Sequence, residues 1–178
     1  MAVLLLSVLG NVGVATVPAS AASELLDDTA HVPLGRPGIP RGVVGDYHFI
    51  EGSPEKTIRR SEKMSELLGD DDAEITVVDV YEEMCGCLIY RGRVYAIVRS
   101  TTASDADASW LTETLARDAG WSSVQTIRRK GTYLQVASNG GMTVVGLEHG
   151  NHAVAVMALD RSTAIRVAVV ARGAAFLW

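Results

Sequence analysis

Two short runs carry residue types that bind metals or exchange disulfides. The first is Cys85-Gly86-Cys87. Residues i and i+2 of a strand point to the same face, so on a strand the two sulfurs lie together, with Gly86 opening the backbone between them. In an oxidising compartment such a pair can close an intra-strand disulfide, labile because its geometry is poor. As thiolates the pair can hold a soft metal such as Cu(I) or Zn²⁺. The competing reading is two small side chains that pack as hydrophobes. The second run is His149-Gly150-Asn151-His152. With Gly150-Asn151 as a two-residue hairpin turn, His149 and His152 form the pair across it, on one face and about 5 Å apart. Together with Cys85 and Cys87 they would complete a tetrahedral ligand set for zinc or copper. Alone they are two turn histidines. No other cofactor is expected.

The remaining clusters read more plainly. Asp70-Asp71-Asp72 lacks the alternating spacing and central glycine of a calcium loop, so it solvates a helix end. Arg128-Arg129-Lys130 sits at an expected hairpin tip, where charge keeps an edge from aggregating. The chain carries 16 Lys+Arg against 21 Asp+Glu, a net charge of −5, which argues against a nucleic-acid partner. There is no G-x-S-x-G elbow, Walker loop, dinucleotide fingerprint or H-E-x-x-H motif. Asp79, Glu82 and Glu83 fall on strands without a cleft to make them catalytic. No residue is nominated as a nucleophile, and the chain leans away from being an enzyme.

These residues need elements to position them. Ser53 caps a helix whose first turn holds Pro54 and Glu55, and Gly69 stops it. Its apolar positions are Ile58, Met64, Leu67 and Leu68, with Arg59, Arg60 and Lys63 facing water. Strand signals follow at Ile75–Tyr81, Met84–Tyr90 and Val94–Val98, with Arg91-Gly92 as the hairpin turn between the last two. A second helix runs from Ser104, its cap, to Ala119, with Ala108, Leu111 and Leu115 on its apolar face. After Gly120 the chain reads as a meander. Its strands are Ser122–Arg129, Thr132–Ser138, Met142–Glu148, His152–Leu159 and Ala164–Val170. They turn at Lys130-Gly131, Asn139-Gly140-Gly141 and Gly150-Asn151.

The N-terminal third is different. Met1–Ala21 has no charged side chain, an apolar run at residues 2–9, then Pro18 and a small-x-small pattern ending at Ala21 or Ala22. This reads as a secretory signal peptide, or as a membrane tether if it is retained. No later stretch is long and apolar enough to span a bilayer. Residues 22–52 hold Pro33, Pro37 and Pro40 among several glycines. That composition favours an extended arm or linker. Within it, Tyr47 and Phe49 are candidate partner-binding anchors, because a purely solvated linker rarely carries them.

The expected fold class is α+β in a single domain, 53–178. It is an antiparallel sheet, a meander of seven or eight strands, with two helices packed on one face. A degenerate αβββ duplication is suggested by Met64–Leu68 against Leu111–Leu115 and by Gly92 against Gly140. Helices on one face would leave the other wet, or open to a partner. The functional expectation is an exported, non-catalytic domain, periplasmic or extracellular, that binds a protein or small ligand through its sheet face or its arm. The alternative is metal or thiol-redox handling at the CGC and HGNH runs.

Overall fold

A local device starts the first helix. The Ser53 hydroxyl accepts from the Lys56 amide at 3.3 Å, Pro54 occupies the first turn, and Gly69 ends the helix in the left-handed region at φ 63°. This is α1, Pro54–Leu68. We describe it from a computed structural model that covers residues 39–69, 73–98, 108–121, 123–139, 141–149 and 152–178. The leader Met1–Ala21, the arm residues 22–38, the Asp70-Asp71-Asp72 turn, the Ser104 cap and the Gly150-Asn151 turn lie outside the described residues.

Eight strands form one open antiparallel sheet among those residues. They are β1 (Ile39–Val44), β2 (Tyr47–Glu51), β3 (Glu74–Met84), β4 (Cys87–Val98), β5 (Val124–Arg129), β6 (Thr132–Ser138), β7 (Thr143–His149) and β8 (His152–Ala158). The order across the sheet is β1-β2-β3-β4-β8-β7-β6-β5. Two meanders, β1–β4 and β5–β8, thus join where β4 pairs with β8. The fold is α+β, because runs of consecutive antiparallel strands, rather than single strands alternating with helices, make the sheet.

Two helices do share one face. Met64 and Leu68 of α1 and Leu111 and Leu115 of α2 (Ala108–Asp118) join Val77, Tyr95, Ile97, Val144 and Met157 in one core layer. Gly146 of β7 lets α2 approach closely, since a Cβ there would lie 2.0 Å from Thr112 Oγ1 and 2.7 Å from the Ala108 carbonyl. The Glu148 carboxylate reaches from β7 to accept the Ala108 amide at 2.9 Å, serving one of the free donors at the start of α2.

The opposite face is not wet. Residues 164–170, expected as a strand, belong to a third helix, α3 (Arg161–Ala171). Its β-branched Ile165, Val167, Val169 and Val170 imitate a strand, but Asp160 accepts the Thr163 amide at 2.8 Å and starts a helix. Ala164, Ala168 and Ala171 then line up at helical spacing and allow close packing on Val145, Leu147, Val154 and Val156.

Further expectations change in detail. The β3–β4 turn is Cys85-Gly86, with φ 52° and 78°, not Arg91-Gly92. Gly92 instead sits at a bulge inside β4 (φ 151°), where a Cβ would come within 2.4 Å of the Met157 carbonyl. Two strands follow α1 and four follow α2, so the αβββ correspondence does not extend to the fold. Residues 39–51 of the expected arm form a hairpin on the sheet edge. Pro40 and Gly42 fall at its bulge, where an edge strand tolerates them. The C-terminal turn, Ala175–Leu177, closes over this hairpin. Phe176 stacks edge-on with Phe49 at 5.2 Å, and its ring occupies the space a Cβ on Gly42 would fill.

Candidate functional site: a cationic groove beside the third helix

The fold separates the residues the sequence singles out. Cys87 opens β4, while His152 pairs with Val98 at the far end of the same strand. Eleven residues at about 3.3 Å each put the Cys and His pairs roughly 35 Å apart. One tetrahedral centre built from Cys85, Cys87, His149 and His152 therefore does not form. His149 and His152 are cross-strand partners, as the turn spacing implies. The His152 ring meets Trp178 edge-on at 6.2 Å, with Nδ1 buried and unpaired. Cys85 and Cys87 are exposed free thiols. They do not lie as i and i+2 of one strand, because Cys85 belongs to the turn. Among the described residues, no group of three or more His, Cys, Asp or Glu side chains is placed to hold a metal.

Tyr47 and Phe49 are not presented to a partner either. Both are buried in the core under α3, Phe49 completely. The Tyr47 hydroxyl donates to Glu82 Oε1 at 3.2 Å. Burial raises the pKa of that phenol, and the Glu82 charge adds to the shift while Arg166 opposes it. An alternating aromatic pattern beside Pro/Gly punctuation was the signature of a strand burying one face, rather than of an anchor for a partner.

A buried charge cluster went unnoticed at the sequence level. Asp79 on β3 accepts from Arg60 Nη1 of α1 at 3.0 Å and from Arg93 Nε of β4 at 2.7 Å. All three residues are buried, against the expectation that Arg60 faces water. Tyr81 and Tyr90 stack edge-on at 5.6 Å nearby. Burial acts to lower the Arg93 pKa, but Asp79, with Tyr95 and Tyr90 behind it, outweighs that and raises it. Burial drives the Tyr95 phenol up to about 12, and Tyr90 higher still. No solvent reaches Arg60 Nη2, Arg93 Nη2 or the Tyr90 hydroxyl, so the cluster docks α1 rather than serving a diffusing substrate. Its signal was a lone carboxylate inside the run Val77-Val78-Asp79-Val80.

The surface feature of most chemical interest lies on the α3 face. The helix lies mainly over β4, β7 and β8 and meets the β5–β6 hairpin through polar contacts at its two ends, Arg161 to Gln125 and Arg172 to Thr132. A groove of about 330 Å³ remains between them. Leu134 of β6, Leu147 of β7 and Ala168 and Val169 of α3 form its apolar floor and wall. Lys130, Thr132, Arg172 and Gly173 form its rim. Lys130 adopts φ 46° and Gly131 φ 81°, the tight turn expected for Lys130-Gly131, which brings Lys130 to the groove mouth. Arg172 is held there by a hydrogen bond from Nη1 to Thr132 Oγ1. Arg129 pairs with Thr132, so the two side chains share the α3 side of the sheet. An acidic chain thus concentrates cations at one end of an apolar trough. A second cavity of about 380 Å³ lies on the other face, beside α2. Its rim mixes charges, Glu113 with Arg117, and so selects neither sign.

Compared with protein-family models, curated proteins and solved structures, the chain gives no significant match to any. No helix among the described residues is long and apolar enough to cross a membrane. The fold and site define an open antiparallel sheet, clad by helices on both faces, with a lateral apolar groove.

Proposed function

We propose that the chain is an exported, non-catalytic domain that binds a small amphipathic anion in the groove between α3 and the β5–β6 hairpin. The observation that carries this reading is the pairing of an apolar floor (Leu134, Leu147, Ala168, Val169) with a cationic rim (Lys130, Arg172). A volume of about 330 Å³ equals some eleven liquid waters at roughly 30 Å³ each. That limits the enclosed part of the ligand to about ten heavy atoms, as in a medium-chain carboxylate. Each buried methylene contributes about 0.8 kcal/mol before the cost of association. The rim cations are exposed, so each adds only about 0.2–1 kcal/mol. The apolar body therefore supplies most of the affinity, and the cations select the sign of the head. The carbonyl end of α3 offsets part of their field. Export is supported by the uncharged, apolar Met1–Ala21 segment with its small-residue boundary. Binding on that sheet face or along residues 39–51 is disfavoured, since α3 covers the one and the other packs as a hairpin on the sheet edge.

The test is calorimetric titration of the chain with decanoate, decanol and decyltrimethylammonium. Decanoate should bind with a Kd on the order of 0.1 mM and more tightly than the other two. The double variant Lys130→Ala/Arg172→Ala should weaken decanoate about three- to ten-fold and leave decanol unchanged. Equal affinity for all three probes, or a double variant that binds decanoate as before, would overturn the proposal.

A further inference from the structure

We infer that the β3–β4 hairpin tip is a binding site for a monovalent soft metal, Cu(I), held by Cys85, Cys87 and Met84. This site is independent of the groove and excludes the histidines. Met84 and Cys87 are direct cross-strand partners closing a two-residue turn. Their side chains therefore share a face, with Cα atoms about 4.5–5.5 Å apart. Cys85 is the first residue of the turn, held at φ 52°, and Gly86 follows at φ 78°. The three sulfur-bearing residues of the tip, Met84, Cys85 and Cys87, are exposed, the methionine at 45% of its surface. Methionine is an apolar side chain that folding normally buries, as it does Met64 and Met157 in this chain. Its exposure beside two free thiols is explained if the thioether is a ligand.

The donor set selects the metal. Thiolates and a thioether favour Cu(I) over hard cations and over zinc, because the nearby Glu82 carboxylate is already engaged by Arg91 and the Tyr47 hydroxyl. Binding replaces the two thiol protons, which leave to solvent, and forms two sulfur–copper bonds of thiolate character plus one from the thioether. No electron is transferred. Two thiolates and one Cu(I) leave a net charge of −1. Arg91 lies beside it, with Nη2 donating to Met84 Sδ at 3.0 Å and Nε to Glu82 at 2.7 Å. That contact uses one sulfur lone pair and orients the other. Because protons are released, affinity falls with decreasing pH.

The experiment is an anaerobic competition for Cu(I) between the reduced chain and bathocuproine disulfonate, followed by the colour of the copper–chelator complex. One copper per chain should be withdrawn from the chelator. The chain has two cysteines in all, so Cys85→Ser and Cys87→Ser should each lower affinity at least 100-fold. Met84→Leu should lower it about ten-fold. Lys130→Ala should have no effect, which separates this site from the groove. All four positions are exposed, and unchanged thermal unfolding of each variant confirms that the fold is retained. If the wild-type chain withdraws no copper, or a Cys85→Ser/Cys87→Ser double variant withdraws as much, the site does not exist. Unchanged affinity in Met84→Leu would remove the thioether, and with it the reason for Cu(I).

Discussion

Replacing Asp79 with alanine tests the energetic logic of the core. The carboxylate is shared by two guanidinium groups, Arg60 at 3.0 Å and Arg93 at 2.7 Å, with side-chain exposures of 9% and 1%. In Asp79→Ala both cations stay buried with no counter-charge. Breaking one buried pair by removing a partner costs about 3–5 kcal/mol. Here one deletion breaks two, so the loss belongs at or above the middle of that range, about 4 kcal/mol. Domains of this size are stable by about 5–15 kcal/mol. With a urea slope of about 2 kcal/mol/M, the midpoint should fall by roughly 2 M. Asp79→Asn keeps an acceptor but loses the charge, and should fall between the two proteins. The converse is more diagnostic. Arg60 Nη2, Arg93 Nη2 and the Tyr90 hydroxyl already lie buried without partners. The triad therefore carries an unrecovered desolvation cost. An apolar replacement, Arg60→Met/Asp79→Leu/Arg93→Met, should match the wild type or exceed it by about 1–4 kcal/mol. Equilibrium urea unfolding followed by far-UV circular dichroism measures all three. A loss below about 1 kcal/mol in Asp79→Ala would refute the argument. So would a triple variant as unstable as the single one.

Two further outcomes follow from particular contacts. Gly146→Ala should destabilise by about 1–3 kcal/mol, because its Cβ would meet the Ala108 carbonyl at 2.7 Å as well as Thr112 Oγ1. Adding Thr112→Ala should recover only part of that loss, as the backbone contact remains; thermal unfolding of both variants measures it. Stability should also fall in alkali. Tyr95 ionises at about 12 in the folded chain and near 10 when unfolded, so the unfolded state gives up its proton first as pH rises. The Tyr95 contribution is complete below pH 10 and is lost between about 10 and 12, at up to about 1.4 kcal/mol per pH unit. Urea midpoints that stay level from pH 10 to 11.5 would contradict it.

The parts of the fold that were legible in the sequence are those with a local cause. Ser53 with Pro54, the turn at Lys130-Gly131 and the stripe Leu111–Leu115 each act through neighbours in the chain. They appear where the residues imply. The misplaced parts depend on distant partners. Residues 164–170 alternate like a strand, and only the sheet beneath shows why Ala164, Ala168 and Ala171 form the buried stripe. Gly92 resembles a turn glycine, yet its reason is the Met157 carbonyl 65 residues away. Arg60 resembles a solvated residue until Asp79 and Arg93 come from β3 and β4 to meet it. The groove was least legible of all. Leu134, Leu147 and Ala168 are ordinary core residues in one dimension, and Lys130 an ordinary tip charge.

The same topology keeps the Cys85–Cys87 tip and the groove in different places. A hairpin tip and the opposite end of its strand cannot share ligands, because β4 is a spacer of twelve residues between them. Cys85 and Cys87 can therefore act together only with what lies at their own end, which is Met84 and Arg91. The groove arises at the opposite edge of the sheet for a reason of size. Helix α3 has eleven residues and lies mainly over the central strands, so the outer hairpin is covered only in part. Residues at that margin must be apolar below, to complete the core, and charged above, to keep the β5 edge from pairing with another sheet. An apolar floor under a cationic lip follows from those two requirements alone.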